Sequence, residues 1–311
     1  VKIIDGKLVQ IDSKDISLNG TLRFPEELTE LEIILDELVI DEKDKGRIKS
    51  LELEKLTKCQ VLKRGQMVKG YQKTSFSEIA PTLAAVRAKE LLEIESWMFY
   101  KCEKLGLVWA PKATNVRSHA FEGCGKLEHF SAPSLKRIGL KAFYGCSSLY
   151  HMTIPEGVEY ISANAFTNSG LNEIELTGNV EVKMHAFQYC INAETVRLRS
   201  FEKIDMHAFD LCMNIKEFIL SEDYEKSKSY KLPFITGGYL YTYKVSHKDK
   251  HMNIICFRRS GMECTSEYVQ QIDCNGKSIY MLADGEYIVK TTNDYCFVSD
   301  SEALKKALYD E

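Results

Sequence analysis

The 311-residue sequence has no run of the roughly 18 to 20 apolar residues that a membrane-spanning helix needs, and charges interrupt its densest apolar stretches. Membrane insertion is not expected. It also has no excess of charge of one sign: 41 Lys and Arg against 45 Asp and Glu leave a formal charge of -4 and a pI near 6.1. Such a balance supplies no general field for phosphate backbones or anionic lipid, so nucleic acid is not an expected partner. The motifs H-E-x-x-H and G-x-S-x-G are missing as well. Asn275-Gly-Lys-Ser278 ends like a phosphate-binding loop, but Gln271 stands where such a loop needs its first glycine, and the segment reads as a hairpin turn. No enzymatic activity and no cofactor are therefore expected.

What the sequence does contain is a repeat. Phe99, Phe121, Phe143, Phe166, Phe187 and Phe209 recur at intervals of 22, 22, 23, 21 and 22 residues, and all but the first follow an Ala. Three residues beyond each Phe stand Cys102, Cys124, Cys146, Ser169, Cys190 and Cys212. Five residues before each Phe stand Ile94, Val116, Ile138, Ile161, Val182 and Ile204. Further apolar columns follow the Cys, two of them spaced i, i+2, for example Val108 with Ala110 and Ile174 with Leu176. That spacing places both side chains on one face of a short strand. Pro111, Pro133 and Pro155 then mark where the strand stops pairing. A unit of this size cannot bury its own apolar face, whereas coils stacked at the strand spacing of about 4.8 Å merge those faces into one core. The Phe column is expected to form an internal spine.

Segments such as Ala142-Phe-Tyr-Gly-Cys-Ser-Ser-Leu149 through Thr153-Ile-Pro155 resemble the BspA-like branch of the leucine-rich repeats. The resemblance covers roughly half the chain. It implies a helix-poor, right-handed solenoid of adhesion or recognition proteins, commonly secreted or displayed on bacterial surfaces and without catalytic residues of its own. Ser169, Ala193 and the later turns without Pro depart from the pattern.

The expected fold is thus mainly β: a right-handed leucine-rich-repeat-like solenoid with β-hairpin caps and a short C-terminal helix. Residues 1–73 read as an N-terminal capping region with degenerate repeats, 74–221 as the solenoid, and 222–311 as a β-rich cap. Asp5-Gly6 signals an opening hairpin. Gly276 and Asp284-Gly285 punctuate a meander of strands, and Ser299-Asp-Ser-Glu302 is a capping box for a helix over Ala303 to Tyr309. Capped ends predict a monomer.

The repeat cysteines would stack in register with parallel Cβ vectors, a poor geometry for bridging, so buried thiols donating weakly to neighbouring backbone are expected. Unpaired cysteines point to a reducing or anaerobic setting, against the surface or secreted location that the family resemblance implies. A zinc site can be composed from His247, His251, Cys256 and Cys264, which makes a thiol- or zinc-dependent C-terminal module the alternative function. The strand at Asn253 to Phe257 argues against it, and metal ligation is not the leading expectation.

The leading expectation is a non-catalytic module that binds a protein or glycan on its strand-lined face. The outward positions there include Leu107, Trp109, His129, His151, Thr153, Glu173, Glu175 and Arg197. An aromatic beside Arg is what binding hot spots favour. If His129 and His151 sit together, they resist joint protonation and give any ligand they touch a pH-sensitive contact near pH 6.

Overall fold

The computed structural model describes residues 1–65, 71–205, 207–221, 241–248, 250–259, 262–274, 276–290, 295–299 and Leu304. The expected C-terminal helix lies outside these residues, Leu304 aside.

The chain winds as a mainly β solenoid. Strands Thr21–Arg23, Ser50–Glu52, Ala85–Arg87, Leu107–Trp109 and His129–Ser131 pair in parallel, coil upon coil, along one face. A second parallel ladder joins Glu93–Ile94, Asn115–Val116, Arg137–Ile138, Tyr160–Ile161 and Glu181–Val182. On the first face the ladder resumes at Glu173–Leu176, Thr195–Leu198 and Glu217–Leu220. It also carries past residue 221, because Tyr241–His247 pairs in parallel with Glu217–Leu220 before the chain turns into antiparallel strands Lys250–Arg259, Met262–Cys274, Lys277–Leu282, Tyr287–Lys290 and Tyr295–Val298. The expected meander is therefore present, and it is hydrogen-bonded directly to the last coil.

At the other end, Lys2–Ile4 and Lys7–Ile11 form the expected hairpin, with Asp5 at φ 48° and Gly6 at φ 74°, the positive angles that Asp-Gly tolerates. Behind it, Lys7–Ile11, Glu30–Ile34 and Lys58–Arg64 run in parallel as longer, irregular coils. The period fades there because the coils lengthen: Leu22, Leu51 and Val86 occupy the same place in the ladder but lie 29 and 35 residues apart.

The Phe column is a continuous internal spine. Rings from Phe99 to Phe209 stack with centroids 5.1 to 5.3 Å apart and planes within 13°. Phe76 extends the stack at 5.5 Å from Phe99, seven rings in all, each essentially inaccessible. Each Phe N–H donates to the carbonyl of the residue before the next Phe, one coil on, as in Phe121 to Ala142 at 2.8 Å, Phe143 to Ala165 at 2.7 Å and Phe76 to Met98 at 2.9 Å. From Phe121 on this fully buried place is filled by Ala, and before Phe99 by the buried Met98.

The thiols behave as the column predicts. Cys124, Cys146, Cys190 and Cys212 donate to the carbonyls of Phe99, Phe121, Phe166 and Phe187 over 2.9 to 3.3 Å. Ser169 fits the same column by contacting Cys190 Sγ at 3.3 Å. All ten cysteines are free thiols. Burial pushes the Cys102 thiol up to about 12 and raises those of Cys124, Cys146 and Cys212 too, so these four stay protonated.

Candidate functional site

The eight sequence-selected residues do not form one strip. Leu107, Trp109 and His129 lie on the first parallel ladder before its interruption, and Glu173, Glu175 and Arg197 where the ladder of that face resumes. His151 and Thr153 sit between them in a coil that forms no strand. The gap coincides with the repeat's irregularity. The turn Ser169-Gly170-Leu171 is one residue short, and it presses so closely on the preceding coil that a Cβ on Gly170 would overlap the Ser147 carbonyl oxygen. His129 and His151 are therefore not joined by strand pairing, and no ring contact links them among the described residues. The gap opens instead a small cleft of about 160 Å³ lined by Tyr150, His151, Thr153, Glu173 and Glu175.

On the first ladder the outward side chains make a denser arrangement than the sequence suggested. Register places Arg23, Glu52, Arg87, Trp109 and Ser131 in one row. Arg87 lies over the Trp109 ring with its guanidinium carbon 5.3 Å from the centroid and pairs with Glu54 at 3.5 Å. Arg23 grips Glu52 through two hydrogen bonds of 2.5 and 3.0 Å. Beside Trp109, Leu107 is exposed. Arg197, by contrast, is engaged with Glu175 at 3.3 Å where the ladder of that face resumes, coils away from Trp109. Arg87 was missed because the period degrades before Phe99, although Val86 already marks its column.

The opposite edge carries features that strand spacing does not reveal. Two residues before and two after each Phe from Phe99 to Phe187 the backbone is left-handed: Trp97 and Lys101, His119 and Gly123, Lys141 and Gly145, Asn164 and Asn168, His185 and Tyr189. These angles turn the chain sharply around the buried ring and point the flanking side chains outward. The column two before Phe reads Trp97, His119, Lys141, Asn164, His185, His207, and its rings meet across coils. Trp97 stacks on His119 at 4.1 Å and 4°, while His185 and His207 meet edge to face at 5.6 Å. Trp97 also meets Tyr100 at 4.8 Å. Both line a cleft of about 670 Å³ with Lys63, Lys73, Ser77 and Lys101. The same 22-residue count that gave the spine would have found this column.

The zinc set proposed for the C-terminal strands does not converge. Phe257 faces Cys264 across its strand pair, so Cys256, one residue along, points to the other side of the sheet. Cys256 is buried in the solenoid core and Cys264 packs against a separate cluster around Ile255 and Tyr280. His251 shares a hydrogen bond of 2.8 Å with Ser246 Oγ, and the side chain of His247 lies outside what is described.

No helix among the described residues is long and apolar enough to cross a membrane. No functionally curated protein matches the chain. Among solved structures, a leucine-rich repeat protein from Bacteroides ovatus is 22% identical with a TM-score of 0.43, over 52% of this chain and 46% of its own. The T. pallidum leucine-rich repeat protein is 26% identical with a TM-score of 0.39, over 42% of this chain and 65% of its own. A leucine-rich cell surface protein from Faecalibacterium prausnitzii is 17% identical with a TM-score of 0.34, over 66% of this chain and 67% of its own. The chain thus spans about half the length of the first of these. The profile of the BspA type leucine-rich repeat region matches in six copies over residues 72–194 and 178–263, more than half of the sequence, a range that includes the Phe spine from Phe76 to Phe209. The chain belongs to the BspA type leucine-rich repeat family.

Proposed function

We propose that this chain is a non-catalytic recognition module of the adhesion type that holds a protein partner on the outward face of its first strand ladder, around Trp109. The observation that supports this reading most is the in-register cluster of Arg87, Leu107 and Trp109 on a rigid parallel ladder. It combines an aromatic, an Arg and an exposed aliphatic residue, the composition of an interface core, on a scaffold that loses little entropy when bound. No cofactor enters this reading, and the chain acts as a monomer at the surface or in a secreted setting, where such a face meets its partner.

The cleft beside Trp97 favours a second reading, a glycan site, because an aromatic pair bordered by Lys and Ser side chains suits a sugar face and its hydroxyls. A binding screen of the purified chain against host-cell surface proteins, matrix proteins and a glycan array, run beside Trp109→Ala and Trp97→Ala, separates the two. The first reading expects Trp109→Ala to weaken a protein partner by about tenfold or more, a loss of roughly 1.4 to 2 kcal/mol, with Trp97→Ala unaffected. Binding that survives Trp109→Ala and fails in Trp97→Ala would move the site to the cleft.

A further inference from the structure

We propose that His185, His207 and Asp210 form a binding site for a divalent transition-metal ion of the zinc type, which fastens two adjacent coils at the turn edge of the solenoid. The three ligand atoms lie within 4.8 Å of one another. His207 Nδ1 is 3.0 Å and His185 Nε2 is 3.5 Å from the same atom, Asp210 Oδ2. A tetrahedral ion with ligand bonds of about 2.0 to 2.1 Å needs its ligands about 3.3 Å apart, and these two separations bracket that value. Two imidazoles and one carboxylate are a set such ions accept, leaving a fourth position for water.

The backbone fixes the set. His185 sits at φ 59° and its N–H donates to the His207 carbonyl at 3.2 Å, so the two histidines are locked one above the other. Asp205 Oδ1 accepts from the His207 N–H at 3.0 Å and holds the turn that presents the ring. Asp210 follows His207 by three residues on the same turn, and its side chain is only 12% exposed while those of His185 and His207 are 29% and 31%. The carboxylate therefore forms the floor, and the imidazoles leave a path from solvent. Cys212 does not compete, because its thiol is buried and donates to the Phe187 carbonyl.

A second copy of the motif shows why the arrangement is particular to this place. His119-Ala-Phe-Glu122 repeats the order of His207-Ala-Phe-Asp210, and His119 Nδ1 meets Glu122 as His207 Nδ1 meets Asp210. One coil earlier, however, that motif finds Trp97, which stacks flat on the imidazole and offers no ligand atom. Only the later motif finds a second histidine one coil before it. Among the described residues this is the one group of three such side chains whose ligand atoms converge.

The test is a calorimetric titration of the metal-free full chain with Zn²⁺, together with the absorption spectrum of the Co²⁺ form. The expected results are one ion per chain, Co²⁺ bands of a site with nitrogen and oxygen ligands and no thiolate charge transfer, and affinity about tenfold or more weaker in His185→Gln and in His207→Gln. His119→Gln should bind as the parent does. Absence of stoichiometric binding, unchanged affinity in both variants, or a thiolate band would overturn the proposal. The Co²⁺ spectrum of the parent decides the matter even if a variant folds poorly.

Discussion

The strand face and the turn edge belong to the same coils yet obey different rules. On the strand face the backbone is extended and any side chain is accepted between two core columns, so neighbours there are set by the ladder alone. At the turn edge two positions per coil are left-handed, a conformation that favours Gly and Asn and that other residues enter at a cost of about 1 to 2 kcal/mol. The strand face loses its ladder at His151 to Ile154, whereas the turn edge keeps its coil-to-coil bonds throughout, from Trp97 N–H to Ser118 O to His185 N–H to His207 O. The two histidine pairs show the consequence. His129 and His151 occupy equivalent places one repeat apart and are not joined, while His185 and His207 are held in contact. Equal spacing in sequence brings side chains together only where the backbone between them is bonded.

Breaking both surfaces at once requires the spine between them. Phe143→Ala should cost about 3 to 5 kcal/mol, cavity included, and abolish cooperative melting of the coils in a thermal unfolding experiment. Gly170→Ala forces a Cβ into the backbone at Ser147, beside the ladder gap, and should cost about 1 to 3 kcal/mol by urea denaturation. Lys141→Val, which puts a β-branched residue at φ 52°, should cost about 1 to 2 kcal/mol. Thr153→Val on the strand side should stay within about 0.5 kcal/mol. If these two cost the same, the contrast between the faces fails. The smallest effect joins the last coil to the meander: the Ser246 hydroxyl and the Lys244 ammonium hold the Glu217 carboxyl below its ordinary value of 4.5. Its folded value is depressed, so its stabilisation is fully present above pH 4.5 and is lost as pH falls through the lower folded value. Glu217→Gln should remove that acid-dependent part from a pH series of melts.

Most of the fold was legible because Phe, Ala and Cys are forced by close packing to recur at one period, and the Pro and Gly residues mark corners. The N-terminal coils were only partly legible, since their lengths change while Leu22, Leu51 and Val86 keep their place. The i, i+2 spacing places Leu107 and Trp109 on one face of a strand, and the register sets Leu107 beside His129 and Trp109 beside Ser131. The gap at His151 and Thr153 was not legible, because a one-residue deletion acts through the contact of its turn with the previous coil. Arg87 and the Trp97 to His207 column were within reach of the same count but stood outside the columns chosen for apolar character.

The ladder gap has a mechanical meaning. Between Ser131 and Glu173 the coils are tied by the turn-edge bonds, by the second ladder through Arg137–Ile138 and Tyr160–Ile161, and by the stacked rings of Phe121, Phe143 and Phe166, while the first ladder is interrupted. A rod slit along one side bends most easily by opening and closing the slit, so the softest bending mode of this solenoid is expected to work the cleft at Tyr150, His151 and Glu175 like a jaw. The two halves of the strand face would then tilt relative to one another without disturbing the stacked rings.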